Sequence, residues 1–259
     1  MDDAKGAVSM RTITLIAFLA VIAVAANAQE FVPAEPYPVF EHATIADQPY
    51  RVGELLYADD FDGDLSNWVW EGDVEPRISE GRMELRTMVG LTVWFRERLE
   101  GNVLIDYTRQ AWADGGEYDF VRDLNCFWQA TDPEHPDDFW ARSEWRDGAF
   151  GNYATLTQYY VGYGGGNNTT CRFRRYTGQA PPPDPIHHYD GNPHYLIVPT
   201  HTYRFQLVYF DGLVQFIRDG EVIFELQDPE PYAVGQFGFR TTHNHEFVDS
   251  FRVYRLETE

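Results

Sequence analysis

Hydrophobic and polar side chains alternate with a period of two along many short segments of this chain. In one such segment Leu124, Cys126 and Trp128 form an apolar set, and the residues between them include Asn125 and Gln129. Alternation of this kind is typical of a β-strand with one buried face. No helical period is sustained over ten residues. The pattern therefore predicts an all-β protein.

A second alternating segment carries charge on one of its faces. There Cys171 and Phe173 alternate with Arg172 and Arg174. If the apolar pair packs into a core, both arginines must point to the opposite face of their strand. An unpaired buried charge is costly, so this face requires solvent, an anion or a carboxylate partner.

Turn sequences separate the predicted strands. Glu80-Gly81 marks a hairpin, and Asp211-Gly212 and Asp219-Gly220 join three successive strands. Asp-Gly pairs favour the tight turns of antiparallel hairpins. Because many antiparallel strands without helices pack as two layers, we expect a sandwich of two antiparallel sheets. We assign residues 54–259 to one such domain.

The first residues have the features of a secretion signal. Arg11 precedes an apolar run over residues 13–26, and Ala26-Asn27-Ala28 places small residues where a signal peptidase cleaves. We predict that residues 1–28 are a signal peptide, whose apolar run is too short for a comfortable membrane span. We therefore expect a secreted or periplasmic protein without a membrane span. The Pro-rich residues 29–53 are predicted to form an N-terminal strap.

The chain is strongly acidic, with a formal net charge of −21. Binding to phosphates requires a basic surface, so the charge argues against nucleic acid as a partner. A local cluster of arginine and histidine can still bind an acidic oligosaccharide or polysaccharide. Such a saccharide is the partner that we predict.

The two cysteines, Cys126 and Cys171, both fall on the apolar faces of their predicted strands. We predict that they lie on neighbouring strands, close enough to form a disulfide in an exported protein. Two free buried thiols are an equally good interpretation of a pair in a chain of this length.

Metal ligands give no spacing that identifies a catalytic site. The acidic turn from Asp59 to Asp64 could help to hold a structural calcium ion, but its spacing is not that of an EF-hand loop. His243 and His245 could lie on one side of a strand, without an identifiable third zinc ligand. We therefore assign no catalytic metal and no cofactor.

Residues 124–178 combine many aromatic side chains with polar donors. This stretch includes a loop with Trp140, a Tyr-rich strand and the turn from Gly164 to Asn168. Flat aromatic surfaces beside arginine, asparagine and glutamine can hold sugar rings. Aromatic residues are also common in sheets as core and cross-strand pairs, so packing is the alternative for each of them.

Three segments resemble the concanavalin-A-like jelly rolls of secreted carbohydrate-active proteins. They are DDFDG, YRFQLVYFDGLVQFIRDGEVIFEL and GQFGFRTTHNHEFVDSFRVYRL. This superfamily includes laminarinase-type hydrolases, keto-glycoside hydrolases and several alginate and glucuronan lyases. The central YYVGYGG and NNTTCRFRRY resemble an uncharacterised branch found in bacterial polysaccharide-degrading systems. The resemblance implies a jelly-roll fold whose concave sheet forms a sugar groove.

The carboxylates of a laminarinase-type hydrolase are incomplete in this sequence. Those enzymes carry Glu-x-Asp-x-x-Glu on one strand, which places nucleophile, helper and acid on the groove face. Here Glu117 and Asp119 are followed by Arg122 at the position of the last acid. A hydrolase of that type is therefore disfavoured, while another pair, such as Glu71 with Glu144, remains open.

Elimination next to a uronate carboxylate needs donors that neutralise the carboxylate, together with a base and an acid. Our candidate catalytic residues are Tyr160, Tyr163, His187 and Arg174. Our candidate substrate-binding residues are Asn125, Gln129, Arg172, Asn168, Trp140 and His243. Each of them could instead be structural.

Three classes of function follow from these residues. A lyase acting on an acidic, uronate-containing saccharide comes first, and a glycoside hydrolase of the same fold comes second. A non-catalytic carbohydrate-binding module comes third, because such modules are usually smaller than this chain and attached to a catalytic partner.

Overall fold

The structure is a computed structural model that describes residues 48–258. Within this range the chain forms sixteen strands and five short helical turns. The strands are β1 (Tyr50–Asp59), β2 (Trp68–Glu71), β3 (Arg77–Ser79), β4 (Arg82–Thr87), β5 (Leu91–Phe95), β6 (Leu99–Glu100), β7 (Val103–Ala111), β8 (Asn125–Thr131), β9 (Thr157–Gly164), β10 (Thr170–Thr177), β11 (His187–His188), β12 (Thr202–Phe210), β13 (Leu213–Arg218), β14 (Glu221–Gln227), β15 (Val234–Thr241) and β16 (Asn244–Thr258). The helical turns are Phe139–Arg142, Ser143–Arg146, Phe150–Thr155, Gly165–Asn168 and Pro193–Tyr195.

The strands form two antiparallel sheets of eight strands each. Sheet I has the order β14-β13-β12-β7-β16-β4-β3, and β1 also pairs with β16. Sheet II has the order β11-β10-β9-β8-β15-β5-β2, and β6 also pairs with β15. The prediction of an all-β sandwich of two antiparallel sheets is confirmed.

The predicted hairpin turns have the required backbone geometry. Asp211 and Asp219 adopt φ angles of 47° and 51°, and the glycine after each also has a positive φ. Two successive positive φ angles match the twist of a two-residue hairpin, which is why Asp-Gly is favoured there. These turns join β12, β13 and β14 in the predicted order.

Aromatic side chains fill the space between the sheets. Trp68 stacks on Phe239 and meets Phe251 edge to face, with ring centroids 5.3 and 5.0 Å apart. Trp128 and Phe173 extend the same core toward the other end of sheet II. The alternation of these strands therefore buries one face and leaves the other face of sheet II available for other contacts.

Several expectations about the ends and loops differ from the structure or lie outside it. Residues 1–28, and the strap up to residue 47, lie outside the described residues. Strand β1 already begins at Tyr50, inside the predicted strap. Glu117 and Asp119 lie in the loop between β7 and β8 and not on a strand. No helix within residues 48–258 is long and apolar enough to cross a membrane.

The prediction that the two cysteines lie on neighbouring strands is wrong. Cys126 is on β8 and Cys171 is on β10, and β9 runs between these strands. Adjacent strands are about 4.8 Å apart, so two steps exceed the roughly 7 Å between Cα atoms that a disulfide tolerates. Both thiols are free and buried.

Candidate functional site

The face of sheet II that points away from sheet I carries the polar set predicted from the alternation. Cys171 and Phe173 belong to the core between the sheets. Phe127, Tyr160 and Tyr176 form a separate apolar cluster on the outer face. The outer face is therefore partly apolar, and a long loop covers this apolar part.

The covering segment is the loop of residues 132–156, which connects β8 to β9. Its Phe139, Tyr153 and Leu156 complete the outer cluster around Trp94 of β5. The loop approaches β5 closely at Gly148, where an added Cβ would lie 2.2 Å from the carbonyl oxygen of Gly90. This second small core leaves only part of the outer face open.

A buried charge network fixes this loop to the sheet. The carboxylate of Glu71 accepts hydrogen bonds from Arg146 Nε at 2.8 Å, Ser143 Oγ at 2.6 Å and Tyr153 OH at 2.8 Å. The side chains of Glu71 and Arg146 are 1% and 0% exposed. Glu71 is therefore committed to holding the loop and cannot form a catalytic pair with Glu144.

The open part of the outer face is a cleft of about 270 Å³. It concentrates positive charge, because four arginines and a single carboxylate line it. The lining residues are Arg122, Asp123, Asn125, Phe150, Tyr160, Gly162, Gly165, Gly166, Thr170, Arg172, Arg174, Arg240 and Thr242. The cleft is therefore a local region of positive charge in a protein of net charge −21.

Strand register explains how residues distant in sequence meet in the cleft. Arg172 on β10 is opposite Gly162 on β9, and Arg240 on β15 is opposite Asn125 on β8. Since β8 and β9 are also paired, these four residues form a row across four neighbouring strands. Residues opposite one another in a sheet share a face, so the row forms the floor of the cleft.

Tyr160 covers the middle of this floor. A Cβ added to Gly162 would lie 2.8 Å from the Tyr160 hydroxyl, so the missing side chain makes room for that hydroxyl. Tyr160 is 4% exposed and packs against Phe127 and Phe150. Burial raises the pKa of Tyr160 well above its ordinary value, although Arg240 and Arg174 act in the opposite direction.

Two of the cleft arginines are on β10 and differ in their partners. Arg172 donates to both carboxylate oxygens of Asp190, with its shortest contact 2.6 Å. Arg174 donates only its Nε to the carbonyl oxygen of Pro183 at 2.9 Å. Arg174 forms no ion pair with a carboxylate of residues 48–258. Its two terminal nitrogens are therefore free to bind a ligand.

Arg240 is a cleft residue that the sequence analysis did not identify. It is 5% exposed, donates Nη2 to the carbonyl oxygen of Gly148 and lies 4.8 Å from the centre of the Phe150 ring. Arg240 belongs to GQFGFRTTHNHEFVDSFRVYRL, one of the three segments that resemble a jelly roll. The signal was present, because Phe237 and Phe239 point inward and the alternation then turns Arg240 outward.

A buried ion pair lies beneath the cleft, between the sheets. Arg109 Nη2 contacts both carboxylate oxygens of Glu246 at 2.6 and 2.7 Å, and both side chains are 0% exposed. Arg109 Nη1 also donates to the backbone carbonyl oxygen of Asn125 at 2.6 Å. Burial raises the pKa of Glu246 to about 7, while Arg109 opposes that shift. The pair fixes the backbone of β8 below the cleft.

Several predicted site residues lie elsewhere. Tyr163 points into the core, where its hydroxyl accepts from Arg218 Nη1 at 2.9 Å, because it is three residues from Tyr160 and so on the opposite strand face. Asn168 uses its amide to bond the backbone of Ile197, with both distances 2.8 Å. Neither side chain is available to a ligand in the cleft.

Four further candidates do not line the cleft. Gln129 lies at a bulge with a φ of 50°, is 1% exposed and has no hydrogen-bond partner among residues 48–258. Trp140 packs edge to face on Phe139 within the covering loop. His187 is on the edge strand β11 and contacts Phe224 of sheet I. His243 is exposed in the turn after β15.

Metal binding has no cluster of ligands to support it in the described part of the chain. Within residues 48–258 no group of three or more histidine, cysteine, aspartate or glutamate side chains is placed to hold a metal ion. In the acidic turn, Asp59 accepts from the backbone nitrogen of Phe61 and from Trp68 Nε1, both at 2.9 Å. These bonds give Asp59 a role in the turn itself.

The fold is that of a concanavalin-A-like or galectin-like jelly roll. Similar solved structures include a Bacillus subtilis protein of unknown function with a galectin-like fold, 18% identical, with a TM-score of 0.59 over 81% of this chain and 100% of that chain. An endo-β-1,3-glucanase from Pyrococcus furiosus is 11% identical, with a TM-score of 0.55 over 81% and 96% of the two chains. The VIP36 exoplasmic/lumenal domain, in its Ca²⁺/Man3GlcNAc-bound form, is 10% identical, with a TM-score of 0.54 over 80% and 92%.

The model of a domain of unknown function, DUF6250, matches residues 85–251. The chain belongs to that family. The matched range contains every residue that lines the cleft, whereas Glu71 lies outside it. No curated protein matches the sequence.

Proposed function

We propose that this protein is a carbohydrate-active protein that binds an acidic, uronate-containing saccharide in the cleft of sheet II. One observation carries the proposal: Arg174 faces the cleft without a carboxylate partner among residues 48–258, in a strongly acidic protein. An arginine matches a carboxylate with two parallel charge-assisted hydrogen bonds, which lysine cannot reproduce. The jelly-roll fold supports a saccharide as the bearer of that carboxylate.

The chemistry that we propose is β-elimination. Arg174 would neutralise the uronate carboxylate and so acidify the neighbouring C–H bond. A base removes that proton, its electron pair forms a C=C bond, and the glycosidic C–O bond breaks. Tyr160 would donate a proton to the departing oxygen; burial raises its pKa, which keeps the hydroxyl protonated but weakens it as an acid, while Arg240 and Arg174 act in the opposite direction. In this proposal Asp123, the carboxylate that residues 48–258 contribute to the lining, would accept the C–H proton.

A non-catalytic saccharide-binding module is the second candidate, and the same residues favour it. Asp123 already accepts from Arg122 Nε at 2.6 Å and from Asn125 Nδ2 at 3.0 Å, so each of its two oxygens has a partner within the protein. No histidine of residues 48–258 lines the cleft. Hydrolysis has less support, because a glycosidase needs two carboxyl groups about 5–9.5 Å apart and the lining offers one.

The test is the variant Arg174→Gln, with Arg98→Gln as a control. Arg98 is exposed in the turn before β6, so the control makes the same change in net charge away from the cleft. Calorimetry would measure the binding of tetrasaccharides of galacturonate, mannuronate, guluronate and glucuronate, and of their carboxyl-reduced neutral forms. Loss of a charge-assisted contact is worth about 1.5–3 kcal/mol, so we expect affinity to fall roughly 10- to 100-fold.

Product formation separates the two candidates. An unsaturated uronyl product absorbs ultraviolet light, so a lyase gives rising absorbance with one of the acidic probes. Tight binding without such a product would identify a binding module. If the wild-type protein binds no acidic probe more tightly than its neutral form, the proposed function is wrong.

We also propose that the protein acts outside the cytoplasm. This rests on the secretion signal in the sequence, since a saccharide-degrading protein must reach its polymer.

A further inference from the structure

Two buried polar side chains face the cleft, and each has one atom without a hydrogen-bond partner. They are Arg240, whose Nε is unsatisfied, and Asn125, whose Oδ1 is unsatisfied. Their exposed fractions are 5% and 1%. Other buried polar atoms of residues 48–258 also lack a partner, including Nε of Arg109 and of Arg218. The atoms of Arg240 and Asn125 differ in lying on directly opposite residues that line one cleft, where a ligand could pair with both.

Arg240 is the exception among the buried arginines of residues 48–258. Arg109 is paired with Glu246, Arg146 with Glu71 and Arg218 with Glu221. Arg240 has only a backbone carbonyl and an aromatic ring. A buried guanidinium without an anion is unfavourable, because burial removes hydration that no opposite charge replaces. An anionic ligand would supply the missing charge.

The unpaired atom of Asn125 is an acceptor, Oδ1, whereas that of Arg240 is a donor. Its Nδ2 already donates to Asp123 Oδ1 at 3.0 Å, which fixes the amide with Oδ1 free. A free acceptor requires a donor on the ligand, and a fully ionised anion alone has none. Since Arg240 and Asn125 are directly opposite on β15 and β8, the ligand must present an acceptor and a donor side by side.

We infer that Arg240 and Asn125 together recognise a carboxylate and a free ring hydroxyl group of the same sugar residue. The carboxylate accepts from Arg240, and the hydroxyl donates to Asn125 Oδ1. A uronate residue has both groups, whereas a neutral hexose lacks the carboxylate and a carboxylic acid without hydroxyl groups lacks the donor. The inference rests on the proposed function and names the specificity-determining residues of the same cleft.

The test is a cycle that changes the protein and the ligand in turn. The protein variant is Arg240→Met, and the ligand pair is tetragalacturonate and its carboxamide, which keeps the shape of each residue and loses its charge. With the wild-type protein we expect the acid to bind on the order of 100-fold more tightly than the amide, since two arginines contact the carboxylate. With Arg240→Met we expect this ratio to fall to about tenfold, because Arg174 remains. Arg98→Met is the matched control, with an unchanged ratio.

The melting temperature separates a binding role of Arg240 from a structural one. If Arg240 served only to stabilise the fold, replacing it would lower the melting temperature. Arg240→Met removes a buried charge that has no ion pair, so its melting temperature should equal or exceed that of the wild type. Arg146→Met leaves the buried Glu71 without its ion-pair partner and should have a lower melting temperature than the wild type. If Arg240→Met does not fold, Arg240 is structural and the inference is wrong.

The possible failures are distinguishable. A wild-type protein that does not discriminate acid from amide refutes the proposed function. A wild-type protein that discriminates, with an Arg240→Met variant that keeps the full ratio, refutes only the role of Arg240. The hydroxyl contact is tested with 2-O- and 3-O-methylated tetragalacturonate. If methylation lowers the affinity of Asn125→Ala by the same factor as that of the wild type, the hydroxyl contact is refuted.

Discussion

Glu71 is the residue whose removal most directly tests how the covering loop is held on sheet II. Its carboxylate accepts three hydrogen bonds from loop residues, and the main partner, Arg146, is 0% exposed. In Glu71→Ala the nearest remaining carboxylate to Arg146 is Asp132, at 3.7 Å. Breaking a buried ion pair by removing one partner typically costs about 3–5 kcal/mol, because a buried charge is left uncompensated. We expect a loss of that size in the free energy of unfolding.

Urea denaturation followed by tryptophan fluorescence would measure the loss by linear extrapolation. Glu75→Ala is the matched control, since Glu75 is exposed and only four residues away. The double variant Glu71→Met/Arg146→Met removes both charges and should recover a substantial part of the loss. A loss below about 1 kcal/mol in Glu71→Ala, in the range of an exposed pair, would refute the idea that this network holds the loop.

Two further substitutions test the floor and the rim of the cleft. Asp190→Asn removes the carboxylate that pairs with Arg172; the two side chains are 37% (Arg172) and 27% (Asp190) exposed. The variant should bind tetragalacturonate up to about tenfold more tightly and its carboxamide equally well. Weaker binding of the acid in calorimetry would contradict this. Gly162→Ala places a Cβ 2.8 Å from the Tyr160 hydroxyl, which should displace that hydroxyl. We expect affinity or turnover to fall by about tenfold while the melting temperature changes little. Unchanged binding and turnover would show that the hydroxyl has no role.

The faces of the central strands could be predicted because strand periodicity is a local property. The inward position of Cys171 and Phe173 and the outward position of Arg172 and Arg174 follow from a period of two alone. The same rule would have separated Tyr163 from Tyr160, which are an odd number of residues apart.

Strand order and loop placement could not be predicted in this way, because both depend on contacts distant in sequence. The prediction that Cys126 and Cys171 lie on neighbouring strands is wrong because β9 lies between their strands and pairs with both. Gln129 does not line the cleft and lies at an irregularity with positive φ, where the period of two no longer predicts the face of a side chain. The use of Glu71 as a loop anchor depends on Arg146, which lies 75 residues further along the chain.

The position of the cleft follows from the way in which one loop divides one sheet face. A polar and aromatic outer face must be either covered or exposed to solvent, and residues 132–156 cover the part around Trp94. Phe150 of this loop then forms a wall beside Arg240 and reduces its contact with water. Charge interactions strengthen as water is excluded, so the loop that stabilises the sheet also strengthens the site. The acidic remainder of the surface repels an acidic polymer once their charges come within the screening length of roughly 8 Å at physiological salt. If the cleft binds a carboxylate, as we propose, this charge distribution favours the approach that brings the carboxylate to Arg172, Arg174 and Arg240, and so it selects the orientation of the ligand.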